Sequence, residues 1–148
     1  MTIEVDVQNA TVCEPLPTAT EFNLWVATAL QGREDAELTL RLVDTGESQE
    51  LNSRYRGKDG PTNVLSFPAE LPPGIDFPLL GDIVICAPLV QKEAEVQGKS
   101  LKAHWAHLVI HGVLHLLGLD HQEEQAAHEM EAIEAELLFS LGFPNPYE

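Results

Sequence analysis

The chain has little cysteine and no long apolar segment. Its two cysteines, Cys13 and Cys86, stand far apart and in no C-x-x-C pattern, which argues against a disulfide framework and a thiolate zinc site. No stretch approaches the roughly eighteen apolar residues of a membrane span, and the first ten residues contain neither a basic leader nor an apolar run. We therefore expect a soluble cytoplasmic protein, and its length of 148 residues predicts a single domain over residues 1–148.

Basic residues are scarce as well. The chain has 24 acidic and 8 basic side chains, and the resulting net charge of −16 disfavours any broad surface for nucleic acid. The charges are unevenly distributed, however, because six glutamates are concentrated at positions 123–136, while Arg54, Arg56 and Lys58 lie close together. The basic cluster is either a local patch on an acidic body or an ordinary solvated loop, and charge alone leaves both open.

Four segments have the pattern of β-strands. TIEVDVQ (2–8) and AELTLRLVD (36–44) alternate apolar and polar residues, as strands with one buried face do. TNVLSFP (62–68) is rich in β-formers and is stopped by proline. LLGDIVIC (79–86) is nearly continuous in apolar residues, so we expect it to be a central strand with Cys86 buried.

Five further segments carry helix signals. The first has the spacing of a capping box, from Thr18 to Glu21, before apolar residues at helical intervals. The others have comparable start or stop residues: a helix ending near Gly57, one after Pro88 closed by Gly98, one capped by Ser100 that runs from about Leu101 to Leu117 and is ended by Gly118, and one from about Glu123 to Leu141. The last helix is expected to bury Met130, Ile133, Leu137, Leu138 and Leu141. These elements predict an α+β fold in which a mixed sheet of about four strands packs against about five helices.

The segment HGVLHLLGLDH predicts a metal site at the end of the central helix. His111 and His115 are four residues apart and therefore share one helix face. Gly118 allows the helix to stop and reverse, which can return His121 as a third nitrogen. The pattern H-x-x-x-H-x-x-G-x-x-H is that of the metzincin zinc site, and three protein ligands leave a fourth position for water or substrate. We expect a zinc ion of the catalytic type.

Gly112 separates this segment from the zinc proteases. Those enzymes carry glutamate after the first histidine as the general base, and glycine has no such group. A Met-turn is also missing, because the methionines are Met1 and Met130. An RNA phosphodiester removes the difficulty, since its 2′-hydroxyl is a built-in nucleophile and an arginine from RYRGKD can match the developing negative charge. A metal hydrolase with another substrate, such as a divergent protease, remains the alternative.

Three other polar residues near the segment, His104, His107 and Asp120, allow two interpretations each. His104 and His107 extend the histidine stripe by two turns and either meet the substrate or serve packing and solvation. Asp120 either orients a ligand histidine or caps the turn. His128 stands among glutamates and is expected at the surface.

Two motifs in order resemble the YbeY endoribonucleases, bacterial metal-dependent enzymes of ribosome maturation. They are LNSRYRGKDGPTNVLSFP (Leu51–Pro68) and HGVLHLLGLDH, joined by LLGDIVIC and AHWAHLVIHG. The resemblance implies an endoribonuclease for single-stranded RNA, acting on ribosomal RNA, notably at the 3′ end of the small-subunit RNA, and in ribosome quality control. Ribosomal or ribosome-associated proteins are the expected partners.

The resemblance also implies residue roles. His111, His115 and His121 would hold one zinc ion, and Arg56 of the YRG element would be the catalytic or phosphate-binding cation. Lys58 is expected to be a further substrate contact, as is Arg54. A different class stays open beside the enzyme: a non-catalytic ribosome assembly factor whose zinc site is structural.

Overall fold

Four strands form one mixed sheet in the part of the chain that the computed structural model describes, residues 2–33, 35–74, 78–119 and 123–147. They lie in the order β1-β2-β4-β3, with β1, β2 and β4 parallel and β3 antiparallel to β4. The strands are β1 Thr2–Ala10, β2 Asp35–Val43, β3 Val64–Pro68 and β4 Leu79–Cys86. The prediction that β4 is an interior strand is confirmed.

Within the same described residues, five helices begin and end close to the predicted signals. Thr18 forms the capping box with Glu21, and Ser100 Oγ accepts a hydrogen bond from the backbone N–H of Ala103. Gly57 and Gly98 end their helices with positive φ. The helices are α1 Ala19–Leu30, α2 Thr45–Arg56, α3 Ala87–Gln97, α4 Leu101–Leu116 and α5 Glu124–Ser140.

Helix α4 lies at the centre of the fold, where it contacts α1, α3, α5, β3 and β4. Its apolar residues Val109, Ile110, Val113 and Leu114 are fully buried in the main core cluster. The inward-facing residues of β2 and β4 and the two tryptophans belong to the same cluster. Burial of each such side chain stabilises the fold by about 1.5–3 kcal/mol, so the histidine helix is among the most firmly held elements.

A smaller core lies on the other face of the sheet. Val43, Leu65, Val84 and Cys86 form it, with Leu51 of α2 packed against them. This contact places α2, and the basic residues at its end, beside β3. Cys86 is buried as expected, and both cysteines are free thiols. None of the described helices is long and apolar enough to cross a membrane.

Helix α5 differs from expectation at one position. Met130 and Leu138 are fully buried, and Ile133, Leu137 and Leu141 pack partly buried against the core. Glu134, which the sequence places in an acidic segment, is also fully buried. A buried carboxylate requires compensating hydrogen bonds, and those bonds come from two histidines of α4 and from Tyr147.

Candidate active site

The two sequence motifs meet at one cavity. It has a volume of about 220 Å³ and lies where α4 faces the end of α2 and strand β3. His111 and His115 come from α4, and Arg56 and Lys58 come from the end of α2 and the loop after it. The remaining lining residues are Asn52, Thr62, Asn63, Val64, Leu65 and Ser66. Histidine nitrogens and basic side chains therefore share a single recess.

His111 and His115 are neighbours on the face of α4 that opens into this cavity. Their ring centroids are 4.6 Å apart, and the rings are nearly perpendicular, at 77°. The side chain of His111 is 20% exposed. Neutral imidazole is a preferred zinc ligand, and at this separation two rings can reach the same ion.

The turn after α4 is built as the glycine predicts. Gly118 has a φ of +99°, its N–H donates to the His115 carbonyl, and Leu119 N–H donates to the Leu114 carbonyl. These bonds end the helix in the left-handed manner that favours glycine. His121, the third predicted ligand, and Asp120 lie outside the described residues. No group of three or more histidine, cysteine, aspartate or glutamate side chains that could hold a metal is found among the residues that are described.

Gly112 faces the sheet and not the cavity. A Cβ on this residue would stand 2.9 Å from Ile83 Cγ2 and 3.1 Å from Ile83 Cδ1, closer than carbon atoms pack. Its carbonyl accepts a hydrogen bond from Ser66 Oγ at 3.2 Å. The glycine thus lets α4 approach β4 closely, and a glutamate would be driven into the core. This packing reason adds to the argument from substrate chemistry, and no sequence pattern indicates it.

Arg56 is held in place from β3. As the last residue of α2 it reaches across, and its Nη2 donates to the Ser66 carbonyl at 3.3 Å. Ser66 in turn bonds to Gly112, so a short chain of hydrogen bonds connects the arginine to the histidine helix. The guanidinium is thereby oriented in the same recess as the histidines.

The loop between α2 and β3 is fixed by two buried side chains of α2. Asn52 Nδ2 donates to the Gly60 carbonyl at 2.9 Å. Ser48 Oγ donates to the Thr62 carbonyl at 2.7 Å and accepts from the Thr62 N–H at 3.0 Å. Because these bonds hold the loop against α2, Lys58 and Asn63 are brought to the rim of the cavity.

The basic cluster divides into two parts. Lys58 lines the cavity together with Arg56. Arg54 is 60% exposed and forms an ion pair with Glu50 at 2.7 Å. It is not among the described residues that line the cavity. The geometry therefore groups Arg56 and Lys58 with the histidines and leaves Arg54 on the helix surface.

Glu134 of α5 is the site residue that sequence reasoning missed. Its Oε1 lies 3.0 Å from His111 Nδ1 and 2.9 Å from His107 Nε2, and its Oε2 accepts from the Tyr147 hydroxyl at 2.9 Å. Burial alone would raise the pKa of this carboxyl, but hydrogen bonds and attraction from the two histidines outweigh it and lower its pKa to about 2. Its position midway between Met130 and Leu138, on the apolar stripe of α5, was the available signal.

His104 and His107 each contact a glutamate of a neighbouring helix. His104 is 4% exposed, and its Nε2 lies 2.9 Å from Glu93 of α3, which also accepts from Asn63. Burial lowers the pKa of His104, although Glu93 opposes this effect. Neither histidine is among the described residues lining the cavity, so the geometry favours packing over substrate contact. His128 is exposed, as expected.

The chain is similar to known proteins in sequence and in fold. A family model described as "Endoribonuclease YbeY" matches residues 7–142. The solution structure of TM1509 from Thermotoga maritima has a TM-score of 0.57 and 22% identity, covering 93% of this chain and 91% of that chain. At that identity the likeness concerns the fold, and it supports the α+β arrangement of the sheet and helices.

Proposed function

This chain belongs to the YbeY endoribonuclease family, which supports a function in ribosomal RNA processing, and from that premise we propose a zinc-dependent enzyme that cuts single-stranded RNA. The observation that carries the proposal is the meeting of His111, His115 and Arg56 in one cavity. A metal ligand pair and a phosphate-matching cation in the same recess suit phosphodiester cleavage better than either would alone.

The zinc ion would be held by His111, His115 and His121. The donor set fits the ion, because imidazole nitrogens are typical zinc ligands and His111 is backed by a carboxylate, as zinc-bound histidines commonly are. Zinc bound here would supply a Lewis acid beside the phosphoryl group and lower the pKa of a coordinated water.

Arg56 would bind the scissile phosphate. Its guanidinium presents several N–H donors to the phosphate oxygens, and its bond to the Ser66 carbonyl limits its freedom before substrate arrives. Negative charge that develops on the phosphate would be stabilised by a donor already in place. Lys58 would contact the phosphate or its neighbour as a further cation.

The acidic body of the protein suggests where affinity for RNA comes from. A net charge of −16 opposes unselective binding, which depends largely on counterion release. We therefore propose that ribosomal or ribosome-associated proteins are the partners that deliver ribosomal RNA. The proposed substrate is the 3′ end of the small-subunit RNA, and the proposed process includes ribosome quality control. The same proposal takes residues 1–148 as one domain acting in the cytoplasm.

The test uses purified protein, a defined end-labelled single-stranded RNA and metal analysis. His111→Ala should lose zinc and cleavage together, whereas Arg56→Ala should keep zinc and lose about 100-fold or more in cleavage rate, as removal of a transition-state donor does. Arg54→Ala is the matched control two residues away, because Arg54 is paired with Glu50 on the helix surface. Its zinc content and cleavage should stay as in the unaltered protein.

Three outcomes would contradict the proposal or replace it. Full activity in Arg56→Ala would remove the arginine from the mechanism. Cleavage by protein stripped of metal would exclude zinc from the mechanism. Stoichiometric zinc without cleavage of any single-stranded RNA would favour the non-catalytic assembly factor. Product ends distinguish the chemistry further, since a 2′,3′-cyclic phosphate would indicate attack by the substrate's own hydroxyl.

A further inference from the structure

The buried carboxylate of Glu134 dictates where three hydrogens lie. An ionised carboxylate only accepts hydrogen bonds, so His111 Nδ1, His107 Nε2 and the Tyr147 oxygen must each carry the hydrogen that points at it. For His107 this assignment leaves Nδ1 without a hydrogen to donate. That agrees with the surroundings of Nδ1, which is buried without a hydrogen-bond partner in the described structure. For His111 the consequence is chemical, because a neutral ring with its hydrogen on Nδ1 binds a metal through Nε2.

We propose that Glu134 is a positioning residue of the metal site, which fixes the tautomer and ring orientation of His111 and is itself held by Tyr147. The inference rests on the proposed function, since it assumes that His111 is a metal ligand. It assigns a role to two residues, one on α5 and one in the C-terminal segment, that do not line the cavity.

Position and burial support this role. Glu134 projects from α5 towards His107 and His111 of α4, with its side chain only 1% exposed. Its Oε1 is shared between two histidines one helical turn apart, which restrains both rings at once. A carboxylate behind a ligand histidine also makes the ring a stronger donor, and loss of such a partner typically weakens metal binding by about 10–100-fold.

Tyr147 completes the arrangement from the end of the chain. Its hydroxyl donates to Glu134 Oε2 and lies 3.0 Å from His107 Nε2. Its ring meets the His107 ring edge-on, with centroids 5.4 Å apart. The segment that carries it is tethered by Lys99 Nζ, which donates to the Pro146 carbonyl. The C-terminal segment thereby covers the carboxylate and restricts it to one orientation.

The experiment measures zinc affinity of the full chain by competition with a chromophoric chelator, and thermal unfolding of the metal-free protein. Glu134→Gln keeps the shape of the side chain and removes its charge, and it should weaken zinc binding by about 10–100-fold. Tyr147→Phe leaves the carboxylate and removes one donor, so it should weaken zinc binding by a smaller factor. It keeps the inference testable if Glu134→Gln does not fold.

Glu93→Gln is the matched control. Glu93 contacts His104 at 2.9 Å, as closely as Glu134 contacts His111, but through Nε2 and at a ring that is not among the described residues lining the cavity. Whatever the unfolding temperature of this variant, its zinc affinity should remain within about twofold of the unaltered protein, because no ligand histidine loses its partner.

The outcomes separate this inference from the proposed function. Zinc binding by the unaltered protein that is equally strong in Glu134→Gln and Tyr147→Phe would overturn the positioning role alone. Equal weakening in Glu134→Gln and Glu93→Gln would also overturn it, because a general effect on the fold would then suffice. If the unaltered protein bound no zinc, the metal site itself would be wrong and this inference with it.

Discussion

Two of the histidine–glutamate pairs on helix α4, those of His104 and His111, differ in their surroundings. His104 meets Glu93 of α3 through Nε2 and is 4% exposed. His111 meets Glu134 of α5 through Nδ1 and is 20% exposed, at the wall of the cavity. The first pair lies between the packed helices α3 and α4, and the second orients a ring that lines the cavity.

The difference shows what distinguishes a packing histidine from a candidate ligand. A carboxylate partner alone does not, since both rings have one at nearly the same distance. What differs is the ring nitrogen that the carboxylate occupies and the space in front of the ring. Neither property follows from a stripe of histidines at helical spacing, because both depend on which element packs against the helix.

The largest expected effect is the loss of zinc affinity when the ring of His111 is replaced, which the matching change at His104 should not cause. His111→Gln should weaken zinc binding by more than about 100-fold, beyond the loss of an outer partner, because a ligand itself is removed. His104→Gln should leave zinc affinity unchanged and lower the free energy of unfolding, because the ring fills a buried site. Chelator competition and chemical denaturation measure the two quantities. Loss of zinc binding in His104→Gln would erase the distinction.

A smaller effect is expected at the face of α4 that packs against β4. Gly112→Ala should lower the free energy of unfolding by about 1–3 kcal/mol, the usual cost of overpacking a core, because the new Cβ would meet Ile83. Zinc affinity should persist, since this face is turned away from the cavity. In an Ile83→Ala background the same change should cost much less. An unchanged cost in that background would refute the close approach to Ile83.

Much of the fold was predictable from local signals. Period-two alternation located β1 and β2, and capping residues located the starts of α1 and α4, because both depend on neighbours in the chain. The interior position of β4 followed from its continuous apolar run. The order of the strands required the packing of distant segments and could not be read from any one of them.

The candidate site was predictable in part. The spacing of His111 and His115 and the basic cluster at Arg56 indicated the two walls of the cavity. Glu134 was missed, because a glutamate in an acidic helix is ordinarily solvated, and its partners on α4 and at Tyr147 come together only in the folded chain. The role of Gly112 in packing was missed for the same reason. The third ligand, His121, stays a prediction.

The smallest expected effect concerns pH and the first of the two pairs. Burial lowers the pKa of His104, helped by His107 and Lys99 and opposed by Glu93. The unfolded chain therefore binds a proton more readily than the folded chain, so the free energy of unfolding should fall as pH drops below the ordinary histidine value of about 6.5.

His104→Gln in metal-free protein should remove that part of the slope. Denaturation at a series of pH values from neutral to mildly acidic measures the difference between the variant and the unaltered protein, which cancels the titration of the many carboxylates. His128→Gln is the control, because His128 is exposed and should leave the slope as it is. Parallel curves for His104→Gln and the unaltered protein would mean that burial of this ring imposes no penalty on its charged form. The packing role of the first pair would then rest on shape alone.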